Sequence, residues 1–472
     1  MCNTRKVRKI VIISKGRFIV NSLQDGRNLS FLERLFHLEE AKTNVRREIL
    51  AGLTTFVSMA YILFVNPQVL GDSGMNKGSL FTATALTAVV GSVLMGILAN
   101  YPIAIAPGLG DNAFFSYSVV IAMGIPWQTA MAGVFVASLI FLVISLMKLR
   151  EIVINAIPKD LKLAVASGLG IFIAFVGLQD GGLITASKSS LVAIGSFAVP
   201  TTWLTITGLL VTAILMARKI PGAIFIGMVF TTIVGLVTKL ISAPAHIVSA
   251  IPSLKPTFGV GVAHITDIKQ PQLWAVVIIF LLVAFFDTAG TLIGLAEQVD
   301  VMKDENGKMP RIGHALMADS ISMVSGSIFG TTPPTAYVES SAGIAVGGRT
   351  GLTSVTVGVL FALSMFFSPL LSVVTGNVTA PVLIIVGTLM AQSMKQIQWD
   401  RFEIALPAFL TIVGMPLTYN ISYGIAFGFL VYPITMLAAG KRKEINPIMY
   451  GLFVVFVILL YIINILPKAS LA

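Results

Sequence analysis

Four polar side chains lie inside otherwise apolar stretches of this 472-residue chain, and their chemistry has to be explained first: Asp111, Asn112, Asp287 and Glu339. A charged side chain is costly in lipid, so one that is kept there generally marks a binding site or an ion pathway. The same stretches contain no Lys or Arg. Such an acidic, uncompensated site suits a proton, a cation or a neutral ring that offers N–H donors, and it disfavours an anion.

Each candidate also has a structural interpretation. Neighbouring backbone could satisfy Asp287 and Glu339. Asn112 and Asp111 lie beside a helix break, where either could simply cap the following helix. Phe286 precedes Asp287 and could stack on a planar ring, although aromatic residues in apolar helices more often only pack.

The composition is typical of a membrane protein that is surrounded by lipid. Hydrophobic residues make up 56% of the chain, charged residues 11%, and the mean hydropathy is +0.91. The net charge of +11 comes from short gaps between apolar stretches, where orientation signals and anionic headgroups explain it, so we expect no nucleic-acid partner. One cysteine, Cys2, excludes an internal disulfide, and the four histidines lack metal-ligand spacing.

Apolar runs predict fifteen helical stretches after a polar cytoplasmic tail at 1–45. They are 49–66, 80–99, 102–121, 127–147, 160–178, 203–219, 221–238, 273–295, 311–329, 331–347, 351–374, 378–394, 402–417, 419–438 and 447–466. Basic residues follow the even-numbered stretches, which predicts a cytoplasmic N-terminus and external gaps at 122–126, 179–202 and 239–272. The fifteenth stretch is a terminal span, or an earlier pair are half-helices and fourteen crossings remain. Asp180 and Asp319 lie near predicted helix ends and receive no role.

Two stretches are predicted to be broken helices, 102–121 with the run PGLGDN and 331–347 with the run TTPPT. The last residue of the second run, Thr335, is a further candidate for substrate binding. At a constant offset of 223 residues, Ala113 and Ser118 align with Ala336 and Ser341. Small residues are common in membrane helices, so a chance match is the alternative. As the third and tenth stretches, the two have opposite orientations. This predicts inverted repeats of seven helices whose broken helices meet near the midplane and form the site.

Several motifs resemble the AzgA-like purine permeases, typified by bacterial guanine/hypoxanthine permeases, from about residue 31 to 468. They are NVRREILAGLTTF at 44–56, FDTAGT at 286–291, YVESSAG at 337–343 and GGRT at 347–350. The resemblance implies an all-α fold of two inverted seven-helix repeats and import of purine bases with protons, without another cofactor. It also implies that Asp287, Glu339 and Asn112 are site residues.

The same resemblance implies two domains that each draw on both repeats. The core domain is expected at 46–150 and 273–376, the gate domain at 151–240 and 377–472, and an external linker at 241–272.

Two positions depart from the family pattern. Many members resemble Val-Asp-x-Phe-Asp on the eighth helix, whereas here Ala284 replaces the first acid, and Asp111 stands where members usually look apolar. We therefore hypothesise that the titrating role moved from position 284 to 111, with Asp287 and Glu339 as the other proton-coupling candidates. The alternative is that Asp111 only caps its helix.

Other functions stay open at this stage. The run Gly108 to Asp111 matches the Gly-x-Gly-Asp pattern of intramembrane aspartyl proteases, but the rest of that family's pattern is absent. A transporter of the same fold for uracil or xanthine is a closer alternative, and a channel is a third. A homodimer also stays open.

The basic loops generate a topological prediction. A reporter inserted after Arg349 or within 303–308 should be cytoplasmic, and one within 245–265 should be external, as measured by labelling with a membrane-impermeant reagent. Reversal of either result would contradict the antiparallel third and tenth stretches.

Overall fold

The computed structural model describes residues 31–147, 157–187, 190–296 and 311–464, and the short strands β1 (Ile13–Ser14) and β2 (Arg17–Phe18). Within its helices, the side chains of residues 285–290, 292–294, 296 and 462–464 lie outside this description.

The helices follow the apolar stretches of the sequence almost one for one. In chain order they are α1 (Phe31–Phe36), α2 (Val45–Met59), α3 (Ile62–Gly71), α4 (Lys77–Leu94), α5 (Leu109–Ala113), α6 (Trp127–Leu146), α7 (Lys159–Asp180), α8 (Pro200–Ala217), α9 (Ala223–Val237), α10 (Val260–Ala263), α11 (Pro271–Ala296), α12 (Ile312–Phe329), α13 (Ser340–Val346), α14 (Gly351–Ser364), α15 (Gly376–Ala391), α16 (Phe402–Thr418), α17 (Ile421–Ala438) and α18 (Pro447–Asn464). Two of them continue as π-helix: α4 through Met95–Ala99 and α5 through Phe114–Ala122. Short 3-10 segments follow at Ile265–Lys269, Met365–Ser372, Gln392–Gln396 and Arg442–Glu444.

The multi-pass membrane architecture is confirmed. Eight helical segments among the described residues are long and apolar enough to span a bilayer, including Val45–Gly71, in which α2 and α3 are joined. The fifteenth predicted stretch is the helix α18, which packs on α17 through Phe429 and Phe456, whose ring centroids are 5.0 Å apart. The number of crossings stays a prediction.

The two predicted broken helices contain extended backbone, which the all-helical expectation did not include. β3 (Ile105–Pro107) pairs antiparallel with β6 (Pro334–Ala336), with Ala106 opposite Thr335. Proline lacks an N–H donor and disfavours helix in the residue before it, so Pro107, Pro333 and Pro334 explain the interruptions. A separate hairpin of β4 (Ile184–Ser187) and β5 (Leu191–Ile194) lies in the gap at 179–202 that the sequence predicts to be external.

Strand pairing and side-chain hydroxyls satisfy the extended backbone at this crossing. Gly108 N donates to Pro333 O at 3.1 Å, and Tyr337 N donates to Ala104 O at 3.0 Å. Beyond the strands, Ser92 Oγ lies 3.1 Å from both N and O of Ile105. An unsatisfied backbone group costs several kcal/mol in lipid, so these bonds make a non-helical segment tolerable there.

Antiparallel pairing confirms that the two broken segments run in opposite directions. In this ladder Ile105 pairs with Ala336 and Pro107 with Pro334. Antiparallel pairing is compatible with any offset between the two segments, so the alignment at 223 positions stays a prediction.

Helix packing divides the described chain into two groups. Helices α2, α3, α4, α6, α11, α12, α13 and α14 pack mainly with one another, as do α7, α8, α9, α15, α16 and α17. Close helix approach at glycine tightens both groups. A Cβ on Gly170 of α7 would lie 2.7 Å from Gly387 O of α15, and one on Gly343 of α13 would lie 2.6 Å from Ala51 O of α2.

One buried acid joins two sequence motifs that are 300 residues apart. Glu48 of α2 accepts from Arg349 N at 2.9 Å, from Thr350 N at 3.2 Å and from Thr353 Oγ1 at 2.6 Å. These groups form the N-terminus of α14, where the helix dipole favours a negative charge. Glu48 is therefore a helix cap between two segments of the chain, and it explains why an acid is tolerated in an apolar stretch.

This contact predicts a stability effect. Glu48→Ala would leave two buried N–H donors without an acceptor, at a cost of about 1–3 kcal/mol each. We expect a clearly lower melting temperature in detergent, and a smaller loss for Glu48→Gln, which keeps one acceptor. The exposed Glu40→Ala is the matched control. Equal melting temperatures for the Ala variants at positions 48 and 40 would contradict the capping role.

Candidate functional site

Asn112 is buried within α5, and its side chain reaches across the β3–β6 crossing. Its Oδ1 accepts a hydrogen bond from Thr332 Oγ1, which lies just before β6. The N-cap of α5 is Gly108, which makes no side-chain capping bond. The capping interpretation of Asn112 is therefore wrong, because the side chain binds the other broken segment and not its own helix terminus.

Asp111 lies in the first turn of α5 and is fully buried. Its carboxyl group lies close to Gly108, the N-cap of the same helix: a Cβ added to Gly108 would be 3.1 Å from Asp111 Oδ2. An acidic side chain in the first turn is stabilised by the helix dipole. The position suits the capping interpretation of Asp111.

Glu339 and Thr335 are both at the second broken segment. Thr335 is buried in β6, and Glu339 ends the turn that connects β6 to α13. Glu339 Oε1 accepts a hydrogen bond of 2.6 Å from Tyr61 Oη. Two residues earlier in the same turn, Tyr337 Oη donates to Pro107 O of β3 at 2.6 Å. The structure thus gathers Asn112, Thr335 and Glu339 around one crossing.

Phe286 and Asp287 are on α11, but their side chains lie outside the described residues. The helix itself is anchored beside α5, since Phe114 contacts Phe280 edge-on with ring centroids 4.7 Å apart. Ala284 is buried one turn further along α11. A small apolar cavity there is also lined by Ala137, Ser138, Phe141, Phe280, Leu281, Met323 and Pro333.

Sequence reasoning missed several polar residues near the site. Asn66 of α3 is buried, and its Nδ2 donates to Thr84 Oγ1 at 2.5 Å and to Thr331 Oγ1 at 3.1 Å. Tyr61 was also missed, because its partner Glu339 lies 278 positions away. Asp319, expected near a helix end, is fully buried inside α12.

A cavity separates the two helix groups beside α5. It is lined by Val69, Leu109, Ala113, Tyr117, Ile173, Val176 and Leu383, which come from α3, α5 with its π-helix, α7 and α15. Next to this cavity, a Cβ added to Gly110 would overlap the side chain of Leu169 on α7. Helices α5 and α7 are therefore in direct contact at Gly110. This wall of the candidate site is apolar.

Aromatic rings close the cavity at the end of α5's π-helix. The Tyr117 ring centroid lies 6.3 Å from that of Phe172 and 5.9 Å from that of Tyr419. Next to it, Ile421 N of α17 donates to Ser118 Oγ at 3.0 Å. We call these five residues the outer seal, because they join the two helix groups on the side that the sequence predicts to be external.

The carboxyl group of the exposed residue Asp72 binds Tyr117 of the outer seal. Tyr117 Oη donates to Asp72 Oδ2 at 2.9 Å, where α3 has just ended. Burial raises the pKa of Asp72, while the Tyr117 hydroxyl and Lys77 act in the opposite direction. At the second broken segment, Val338 is 60% exposed, and Glu339 is partly exposed beside it.

Comparison with known proteins agrees with this architecture. The Permease family matches residues 46–427. The guanine/hypoxanthine permease PbuG of Bacillus subtilis (strain 168) is 53% identical over 436 residues, covering 90% of this chain and 99% of the relative. The adenine permease AdeP of Escherichia coli (strain K12) is 41% identical over 442 residues, covering 92% and 96%. The transmembrane domain of the cyanobacterial bicarbonate transporter BicA has a similar fold, with a TM-score of 0.58 at 15% identity, covering 84% of this chain and 97% of that one.

The outer seal predicts a reversible block. Ser118 Oγ and Ile421 N are in contact, so cysteines at these positions lie near the Cα separation of about 4.4–6.8 Å that a disulfide needs. In a Cys2→Ser background, oxidation of the double variant Ser118→Cys and Ile421→Cys should abolish solute uptake, and reduction should restore it. Single-cysteine variants are the controls. Full uptake by protein shown by mass spectrometry to be cross-linked would contradict a seal that must open.

Proposed function

Because this chain belongs to the Permease family of nucleobase transporters, we propose that it imports purine bases, hypoxanthine and guanine foremost, across the cell membrane together with protons. The family and its relatives are transporters and not enzymes, so the aspartyl protease alternative is rejected. The observation that carries the proposal is the pair of oriented polar side chains, Asn112 and Glu339, at the β3–β6 crossing.

The two side chains offer complementary chemistry to a purine edge. Glu339 presents an acceptor for ring N–H groups. Asn112 Nδ2 is buried and has no hydrogen-bond partner among the residues that the structure describes, so it can donate to a ring nitrogen or carbonyl. The first turn of α5 adds backbone N–H donors that have no intrahelical acceptor. Asp287 and Phe286 complete the proposed site from α11, as a second acid and a stacking surface, with Thr335 in the strand behind.

The two helix groups support the proposed core and gate domains. The polar candidates with described side chains lie on α5, which contacts α3 and α11 of the first group, and at the second broken segment before α13. The apolar wall of Leu169, Ile173 and Leu383 belongs to the second group. We propose that the base is held by the core and covered by the gate. We further propose that, with a cytoplasmic N-terminus, the outer seal closes this conformation to the outside and Glu339 is reached from the inside.

Three acidic residues are the candidates for proton coupling in this proposal: Asp287, Glu339 and Asp111. The rings of Phe114 and Phe280 are in contact, and α5 and α11 run in opposite directions in the proposed topology. Asp111 lies about one turn before Phe114, and Ala284 about one turn after Phe280. The two positions are therefore at the same depth in the membrane. This placement supports the hypothesis that Asp111 replaces an acid at position 284. Its place in the first turn of α5 supports the capping alternative equally.

Relatives with different printed substrates make the choice of purine an experimental question. Adenine stays within the proposal because AdeP is 41% identical to this chain. Uracil and xanthine differ from hypoxanthine by ring size or one hydrogen bond, which a pocket can discriminate without any visible change in fold. A homodimer is a further part of the proposal, and mass measurement of the purified protein tests it.

The test is uptake of radiolabelled hypoxanthine in permease-deficient cells, with competition by guanine, adenine, xanthine and uracil. We expect saturable uptake that guanine inhibits and a protonophore abolishes. Glu339→Gln and Asp287→Asn should each reduce uptake at least about tenfold, since a hydrogen bond to a charged group contributes about 1.5–3 kcal/mol.

The matched control is Asp400→Asn, an exposed acid in a loop, at equal amounts of protein in the membrane. Normal uptake by both site variants would contradict the site. Uptake that is insensitive to the protonophore would contradict proton coupling alone, and competition by uracil but by no purine would contradict the substrate class.

A further inference from the structure

The first helical stretch is interrupted where it meets the candidate site. α2 ends at Met59 and α3 begins at Ile62, so Ala60 and Tyr61 form the turn between them. The Tyr61 side chain is only 1% exposed, whereas Glu339 is partly exposed. A ligand that reaches Glu339 therefore does not reach Tyr61 in this conformation.

The contact between them links segments that are far apart in the chain. Tyr61 Oη donates to Glu339 Oε1 at 2.6 Å across a separation of 278 positions. A short O–H···O⁻ bond of this kind is among the stronger hydrogen bonds in proteins. It fixes one oxygen of a side chain that would otherwise sample several rotamers.

The turn that carries Glu339 is held at both ends. Tyr337 Oη donates to Pro107 O of β3 at 2.6 Å, while Glu339 is held by Tyr61. The first bond fixes the turn to the strand pair, and the second fixes the carboxylate to the break between α2 and α3. Substrate binding then costs less conformational entropy, because the acceptor is already oriented.

The choice of a hydroxyl as the holding group also has a consequence. A lysine or arginine at this position would orient the carboxylate but neutralise it. The tyrosine is a neutral donor, so it fixes the geometry without itself neutralising the carboxylate.

We propose that Tyr61 is a positioning residue of the transporter: its hydroxyl holds the Glu339 carboxylate in the orientation that receives the base. This inference rests on the proposed function and deepens it, because it assigns the affinity for the base to a pair of side chains and not to Glu339 alone.

The test measures binding of radiolabelled hypoxanthine to purified protein in nanodiscs. Tyr61→Phe removes one oxygen and keeps the ring, and it should raise Kd about tenfold or more, as loss of a hydrogen bond to a charged group implies. Tyr432→Phe, at a buried tyrosine in the other helix group, is the control for loss of a buried hydroxyl and should leave Kd unchanged. An unchanged Kd for Tyr61→Phe would overturn the inference, and so would a weaker Kd shared by Tyr432→Phe.

A double-mutant cycle separates positioning from general destabilisation and covers the case of a poorly folded single variant. Glu339→Asp shortens the side chain away from Tyr61, so adding Tyr61→Phe to it should change Kd less than twofold. Independent, multiplying effects would overturn the inference. If the wild-type protein binds no purine at all, the proposed function itself fails and this inference with it, whereas tight wild-type binding with an unchanged Tyr61→Phe variant defeats only the inference.

Discussion

The pairing of β3 with β6 is the constraint on which the remainder of the structure depends. Extended backbone inside a bilayer is tolerated only if every N–H and C=O finds a partner, and here two strands of three residues supply those partners to each other. Because the strands are antiparallel, the helices that follow them leave the crossing in opposite directions. The starts of α5 and α13 thereby lie at the two ends of the same short ladder. Asn112 and Glu339 reach the candidate site only because this backbone crossing exists.

Local patterns in the sequence were sufficient for much of this architecture. Long apolar runs separated by basic or turn-forming residues located the helices, because the thickness of the bilayer fixes how long such a run must be. Prolines at 107, 333 and 334 located the interruptions, because proline removes a backbone donor wherever it stands. The polar residues Asn112 and Glu339 could also be selected in advance, since lipid makes any polar group inside a span conspicuous.

Contacts between distant segments were beyond those patterns. The pairing of β3 with β6 was not predicted, because each strand has only three residues and its partner lies far along the chain. Asn112 was equally compatible with a local cap until Thr332, 220 positions away, was seen to bind it. Glu48 and Tyr61 were missed for the same reason. Each is an ordinary residue in its own stretch, and its function is defined only by a partner on a different helix. Pairing of this kind depends on the fold and leaves no trace in local periodicity.

A similar scaffold is found in a transporter of bicarbonate, so the fold does not determine the sign of charge that is carried. Helix N-termini that converge on a crossing create a positive potential, which by itself favours an anion. In this chain Asp111 and Glu339 lie at those termini, where a carboxylate offsets the positive potential. In the proposed site the backbone donors would bind carbonyl and nitrogen acceptors of a neutral ring, and the carboxylate would accept from its N–H groups. We therefore assign selectivity for neutral bases over anions to a few acidic side chains and to the hydroxyl proposed to orient one of them.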